Sequence, residues 1–113
     1  MKEVKAIIRP YRLDAVLDAL HSHPELPGVT VSFVRGFGRT VGRSASAAQT
    51  PIQYGTVEMA KLECVVNDDQ VDVIIGIIQS AACTHSTGDG KITIYDVSEV
   101  VMIKTGDRLR RIE

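Results

Sequence analysis

The apolar residues of this chain follow two spacings, and the order of these spacings limits the possible folds. Near the start every second residue is apolar, as in a half-buried strand, at Val4, Ala6 and Ile8. Beyond Pro10 the spacing becomes three and four residues, as on one face of a helix, at Leu13, Val16, Leu17 and Leu20. The sequence therefore predicts a strand followed by a helix, which ends before Pro24 because the residue preceding a proline disfavours helical geometry.

The same two spacings return in the rest of the chain. They predict strands over residues 29–35, 58–66 and 92–97, and a short apolar tail segment over residues 100–103. A second helix is predicted after residues 67–69, whose polar side chains suit a helix N-terminus, with a buried stripe of Val71, Ile74, Ile75 and Ile78. The resulting order, β-α-β-β-α-β, predicts an α+β protein with the ferredoxin-like split β-α-β sandwich, in which both helices cover one face of an antiparallel sheet.

The other face of this predicted sheet has no helix to cover it. Its residues are mixed but substantially apolar, and they include Ile7, Thr30, Val34, Val65 and Tyr95. A small domain with such a face usually covers it by associating with copies of itself.

Length and composition exclude several classes of protein. The 113 residues suffice for one domain, residues 1–113, and the net charge of -1 offers no basic surface for nucleic acid. No apolar run approaches the roughly 18 residues of a membrane span, and the first residues do not resemble a signal peptide. Cys64 and Cys83 lack metal-ligand spacing and are expected to stay reduced. We expect a soluble cytoplasmic protein without direct membrane insertion.

Two glycine-containing segments follow apolar runs and carry cations. In one, Gly88 and Gly90 permit positive φ and close approach to a ligand, and Lys91 adds a positive charge. The other is residues 35–39, with an arginine at each end. Such turns often do no more than join a helix to a strand. Two of them together favour the interpretation that they form two walls of one phosphate-binding cleft.

A long polar segment, residues 40–56, separates the second and third strands. Hairpin loops usually need two to five residues, so a connection of this length is either functional or disordered. Its small and polar side chains favour mobility in the absence of a partner.

Taken together, these segments resemble the P-II signal-transduction family over nearly the whole chain. The matching segments are residues 2–10, 13–16, 28–31, 36–39, 65–69, 84–92 and 105–106. The resemblance implies a homotrimer that binds adenine nucleotide (ATP, ADP or AMP) between subunits and controls a target protein. It also implies three named segments: the T-loop at about 40–56, the B-loop at about 84–91 and the C-loop at about 99–106.

The resemblance further implies which residues bind the nucleotide. Thr30, Glu63 and Val65 would lie near the adenine and ribose. The phosphates would be bound by Gly38, Arg39, Gly88, Asp89, Gly90 and Lys91, with Met102 and Lys104 supplied by the neighbouring subunit. The large T-loop side chains, Arg43, Ile52 and Tyr54, would contact the target.

Several positions depart from the family pattern. Met102 and Lys104 replace two arginines, which removes bidentate phosphate donors and favours ADP or AMP over ATP. Thr40 replaces a magnesium-binding glutamine, which leaves Mg²⁺ an open question, and Met59 replaces the lysine that pairs with 2-oxoglutarate. Ile52 stands at the position of the modified tyrosine, and Ala48 at that of the arginine that plugs ammonium channels. We therefore expect a different target protein, either another transporter, such as a membrane transporter, or an enzyme.

Two alternatives belong to other functional classes. A phosphate-handling enzyme of the acylphosphatase type needs an arginine and an asparagine near the phosphate; Arg39 is present, but the only asparagine, Asn67, begins the second helix. A trimeric metal-binding or scaffold protein would need a ligand cluster, and His21 and His23 are too close in sequence to share a helix face. No nucleophile with an adjacent base is evident, so we predict that the protein is not an enzyme.

Overall fold

The computed structural model describes residues 1–26, 28–37 and 55–112. These residues contain six strands and two α-helices, and each helix follows a single 3₁₀ turn. The strands are β1 (Lys2–Ile8), β2 (Thr30–Gly36), β3 (Val57–Val66), β4 (Gly90–Asp96), β5 (Val100–Val101) and β6 (Arg108–Leu109). The helices are α1 (Leu13–His21) and α2 (Val71–Ala82). The long elements have the predicted order β-α-β-β-α-β.

The four long strands form one antiparallel sheet in the order β2-β3-β1-β4. Alternate residues of β1 and β3 face the helices and are buried, as their period-two pattern predicts. The core comprises Val4, Ala6, Ile8, Ala60, Leu62, Cys64 and Val66 of the sheet, and Val16, Leu20, Ile74, Ile78 and Ala82 of the helices. This arrangement confirms the α+β class. Neither helix in the described residues has the length and apolarity to cross a membrane.

The buried stripe of α2 differs slightly from the prediction. Ile74 and Ile78 are buried and Val71 packs against them, as predicted. Ile75 is only partly buried, whereas Ala82 joins the core. Ala82 lies four residues after Ile78, so it continues the same helix face into the last turn.

The predicted tail segment, residues 100–103, forms the first arm of a hairpin and the start of its turn. Val100 and Val101 pair with Leu109 and Arg108. The turn is closed by the Met102 N–H, which donates to the Asp107 carbonyl at 2.9 Å, and Gly106 takes a positive φ of 76° within it. Sequence periodicity could not predict this element because each arm has only two residues.

The face of the sheet away from the helices carries the five residues that were predicted there. The strand registers also place five charged residues on it, Glu3, Lys5, Lys61, Glu63 and Lys91. The face is therefore more polar than its apolar members alone suggest.

Candidate functional site

The glycine-rich loop, residues 84–91, lies at the end of β1, where β4 begins. Gly90 pairs with Ile8, and both Gly88 and Gly90 have positive φ angles, 92° and 104°, as the sequence predicts. A Cβ atom on Gly90 would lie 1.7 Å from the Ile7 carbonyl oxygen. Only glycine lets the loop approach β1 this closely.

The side chain of Arg9 fixes the shape of this loop. Its Nε donates to Asp89 Oδ1 at 2.8 Å, and its Nη2 donates to the Thr87 carbonyl at 2.7 Å and to Ser86 Oγ at 3.3 Å. Asp89 Oδ2 also accepts the backbone N–H of Thr84 at 2.7 Å. The hydrogen bond from Arg9, together with those from Thr84, holds the pKa of the Asp89 carboxyl well below its usual range. Asp89 is therefore an ionised anchor at the base of the loop.

The sequence pattern missed Arg9, because the residue is separated from Asp89 by 80 positions. The strand register shows the connection: Ile8, next to Arg9, is directly opposite Gly90. Lys91 lies just beyond, opposite Ile7, with its side chain exposed on the sheet face away from the helices. The loop thus combines two positive-φ glycines with an exposed ammonium group, a combination suited to binding phosphate.

A second concavity lies at the other end of the sheet, where β2 begins. Thr30 pairs with Glu63, and both residues line a cavity of about 330 Å³ together with Val65. The remaining lining residues are Glu3, Gly28, Cys64, Val100 and Ile112. Three of the predicted site residues are therefore found in one cavity.

Glu3 is a member of this cavity that the sequence pattern did not single out. Partial burial, followed by the neighbouring carboxyl of Glu63, raises the pKa of Glu3. The ammonium of Lys61 lies 3.5 Å from Glu63 and offsets part of this negative charge. A pair of adjacent carboxyls can present both an acceptor and, when one of them is protonated, a donor.

The cavity and the glycine-rich loop are well separated within one subunit. On β1, Glu3 lines the cavity, and Ile8 pairs with Gly90 of the loop. These two residues are five positions apart on one strand, which corresponds to about 17 Å. Thr30 and Lys91 also lie on opposite edge strands of the sheet. A single chain therefore does not bring the predicted residues of the cavity, Thr30, Glu63 and Val65, together with those of the glycine-rich loop.

Comparisons with known proteins agree with the resemblance seen in the sequence. Residues 1–107 match the model of the family described as Nitrogen regulatory protein P-II. The P-II proteins of Nostoc punctiforme and Escherichia coli are similar, with 44% identity over 108 residues and 39% over 107; each alignment covers at least 95% of both chains. A solved structure of Arabidopsis thaliana PII bound to citrate is 38% identical, with a TM-score of 0.76, and is matched over 96% of this chain and 88% of that one.

This chain belongs to the P-II family. P-II proteins are signal-transduction regulators and not enzymes, so the predicted functional class is confirmed and the acylphosphatase-type alternative has no support. The family responds to small-molecule effectors and acts on target proteins. Across the described ranges, no cluster of three potential metal ligands occurs.

The remaining predicted P-II site residues divide into two groups. Met102 and Lys104 are exposed on the β5–β6 hairpin, which begins beside the 330 Å³ cavity at Val100. Gly38, Arg39, Arg43, Ile52 and Tyr54 lie outside the described residues. The predicted T-loop, about 40–56, lies outside them too, except for its last two residues.

Proposed function

We propose that this P-II protein is a homotrimeric regulator that binds adenine nucleotide in clefts between subunits. The separation of two complementary half-sites carries this proposal. The loop of residues 84–91 offers glycines and the Lys91 ammonium to phosphates, whereas the cavity around Thr30 and Glu63 offers a hydroxyl, carboxyls and the apolar Val65 to a nucleoside. A trimer would place the loop of one subunit against the cavity of the next, so that one nucleotide spans both.

The carboxyl pair favours adenine as the base. Adenine presents an exocyclic amino donor, and the carboxyl oxygens of Glu3 and Glu63, which line the cavity, can accept hydrogen bonds from it. Met102 and Lys104 would approach the phosphates from a neighbouring subunit without the bidentate geometry of arginine. We therefore propose ADP or AMP as the preferred effector over ATP.

The environment of Met59 argues against 2-oxoglutarate as a second effector. Met59 is 7% exposed on β3, and a Cβ on Gly36 would lie 3.8 Å from its Cγ. A dicarboxylate needs a cation, and a buried thioether supplies none. The output of the regulator is then a target protein, which we propose is contacted by residues 40–56, with Arg43, Ile52 and Tyr54 as anchors, and is a membrane transporter.

Calorimetric titration with ADP, AMP, ATP and 2-oxoglutarate tests this function. We expect saturable binding of ADP, and no strong binding of 2-oxoglutarate with or without Mg-ATP. Lys91→Ala should weaken ADP binding by about 1.5–3 kcal/mol, because it removes a charge-assisted hydrogen bond to phosphate. Lys2→Ala is the matched control, since Lys2 pairs with Asp96 at the far end of β1. Equal ADP affinity of the Lys91 variant and the wild type would place the phosphates elsewhere.

A further inference from the structure

Residues 108–112, here called the strap, comprise β6 and the segment that runs from it to Asn67, just after β3. At the end of the strap, the Ile112 N–H donates to Asn67 Oδ1 at 2.8 Å, and Asn67 Nδ2 donates to the Ile112 carbonyl at 2.8 Å. One side-chain amide thus satisfies both backbone groups of one residue. This is the geometry with which a neighbouring strand would hold them.

The first two residues of the strap pair with β5, and the other contacts of its side chains are exposed ion pairs. Arg108 pairs with Glu99 at 2.8 Å and Arg111 with Asp69 at 3.5 Å, and both arginines are about 70% exposed. Exposed ion pairs of this kind contribute little to stability. The two partly buried hydrogen bonds to Asn67 therefore dominate the position of Ile112.

Ile112 lies between two cavities and lines both of them. One is the 330 Å³ cavity that contains Thr30 and Glu63, and the other, of about 500 Å³, is lined by Asn67, Gln70 and Arg111. Asn67 does not line the first cavity. It contacts that cavity indirectly, through Ile112, which it holds by two hydrogen bonds.

We propose that Ile112, at the end of the strap, is a wall of the nucleoside pocket and that Asn67 is a positioning residue for nucleotide binding. This inference rests on the proposed function, since it assigns the 330 Å³ cavity to the nucleoside. By linkage, if fixing Ile112 strengthens nucleotide binding, then bound nucleotide holds Ile112 in place by the same factor. The strap thereby couples occupancy of the pocket to the order of residues 108–112.

Amide hydrogen exchange at Ile112, measured by NMR with and without ADP, tests the coupling directly because this N–H donates to Asn67. We expect ADP to slow exchange at Ile112 in the wild type. Asn67→Ala should abolish this protection and weaken ADP binding about fivefold, equivalent to about 1 kcal/mol. Asn67→Asp keeps the acceptor for the Ile112 N–H but loses the donor, so it should give intermediate values.

Two further variants distinguish the contribution of the Ile112 side chain to the pocket from that of the hydrogen bonds between Ile112 and Asn67. Ile112→Ala keeps both backbone hydrogen bonds but removes the side chain, and it should weaken ADP binding about threefold, or about 0.6 kcal/mol. Arg111→Ala, the matched control in the strap, should bind ADP like the wild type because its ion pair is exposed.

Wild-type ADP affinity in Asn67→Ala, or faster exchange at Ile112 when ADP binds, would overturn the inference. If the wild type binds ADP and Lys91→Ala weakens it, either result contradicts the role of the strap alone. If the wild type does not bind ADP, the proposed function and the inference both fail.

Discussion

Two glycines with positive φ, Gly90 and Gly106, differ in how closely other atoms surround them. A Cβ on Gly90 would overlap the backbone of Ile7, whereas a Cβ on Gly106 would meet nothing within 4 Å. Both positions carry the conformational strain of a side chain at positive φ, but only Gly90 adds a clash with a strand that cannot move without losing its pairing. At the scale of one residue, the space for a single carbon atom determines whether β4 can begin beside β1.

Replacing each of these glycines with alanine should distinguish the cost of a side chain at positive φ from the cost of a steric clash with β1. Gly106→Ala should lower the free energy of unfolding by about 1–2 kcal/mol, the cost of a left-handed residue. Gly90→Ala should lower it by more than about 3 kcal/mol, because the strand must shift as well. Urea unfolding at equilibrium measures both values. Equal losses in the two variants would show that the loop accommodates a Cβ without disturbing β1.

The elements show how much of the fold the sequence can predict. Period-two alternation identified the buried faces of β1 and β3, and the helical stripe identified Val16, Leu20, Ile74 and Ile78. The β5–β6 hairpin was missed because a two-residue strand has no measurable period. The hydrogen bonds from Arg9 to Asp89 and from Asn67 to Ile112 were missed for another reason. Each joins residues far apart in sequence, and no local pattern records such a contact.

In the candidate site too, local sequence features could be predicted, whereas contacts between distant residues could not. Local chemistry predicted the glycines of the loop, and the family resemblance supplied Thr30, Glu63 and Val65, which share one cavity. Their separation from the loop became visible only from the strand register, which sequence periodicity does not determine. Glu3 could not be distinguished from an ordinary exposed strand residue, because its raised pKa comes from partial burial and from Glu63 on the neighbouring strand, and no local pattern records either.

Gly76 in α2 gives a prediction at the scale of one helix. It is exposed in the middle of α2, and a Cβ there would meet nothing within 4 Å. Gly76→Ala should therefore raise the free energy of unfolding by roughly 1 kcal/mol, since alanine restricts the unfolded chain and favours the helix. Thermal and urea unfolding measure the change. A loss of stability would mean that the outer face of α2 is covered in the assembled protein.

For the whole molecule, two of the lysines on the open face of the sheet already have partners within the chain. Lys5 donates to Tyr95 Oη at 2.9 Å, and Lys61 lies 3.5 Å from Glu63. Paired charges cost less to bury than isolated ones, so these residues do not prevent the face from forming an interface. Val34 and Ile7 provide apolar contact beside them. A chain of 113 residues has only one modest core, and burying this face would extend it.

We therefore expect the protein in solution to have three times the chain mass of 12.3 kDa. Val34→Asp should reduce that mass toward one chain, because it places an unpaired charge on the open face of β2. Val73→Asp is the matched control: Val73 is 46% exposed on α2, on the helix side of the sheet, and its replacement should leave the trimer intact. Light scattering coupled to size-exclusion chromatography measures all three masses.

A monomeric wild type would contradict the trimer, and with it a nucleotide site assembled from two subunits. A trimeric Val34 variant would instead move the interface to another surface, such as the exposed side chains of Val31 and Phe33 on the opposite face of β2.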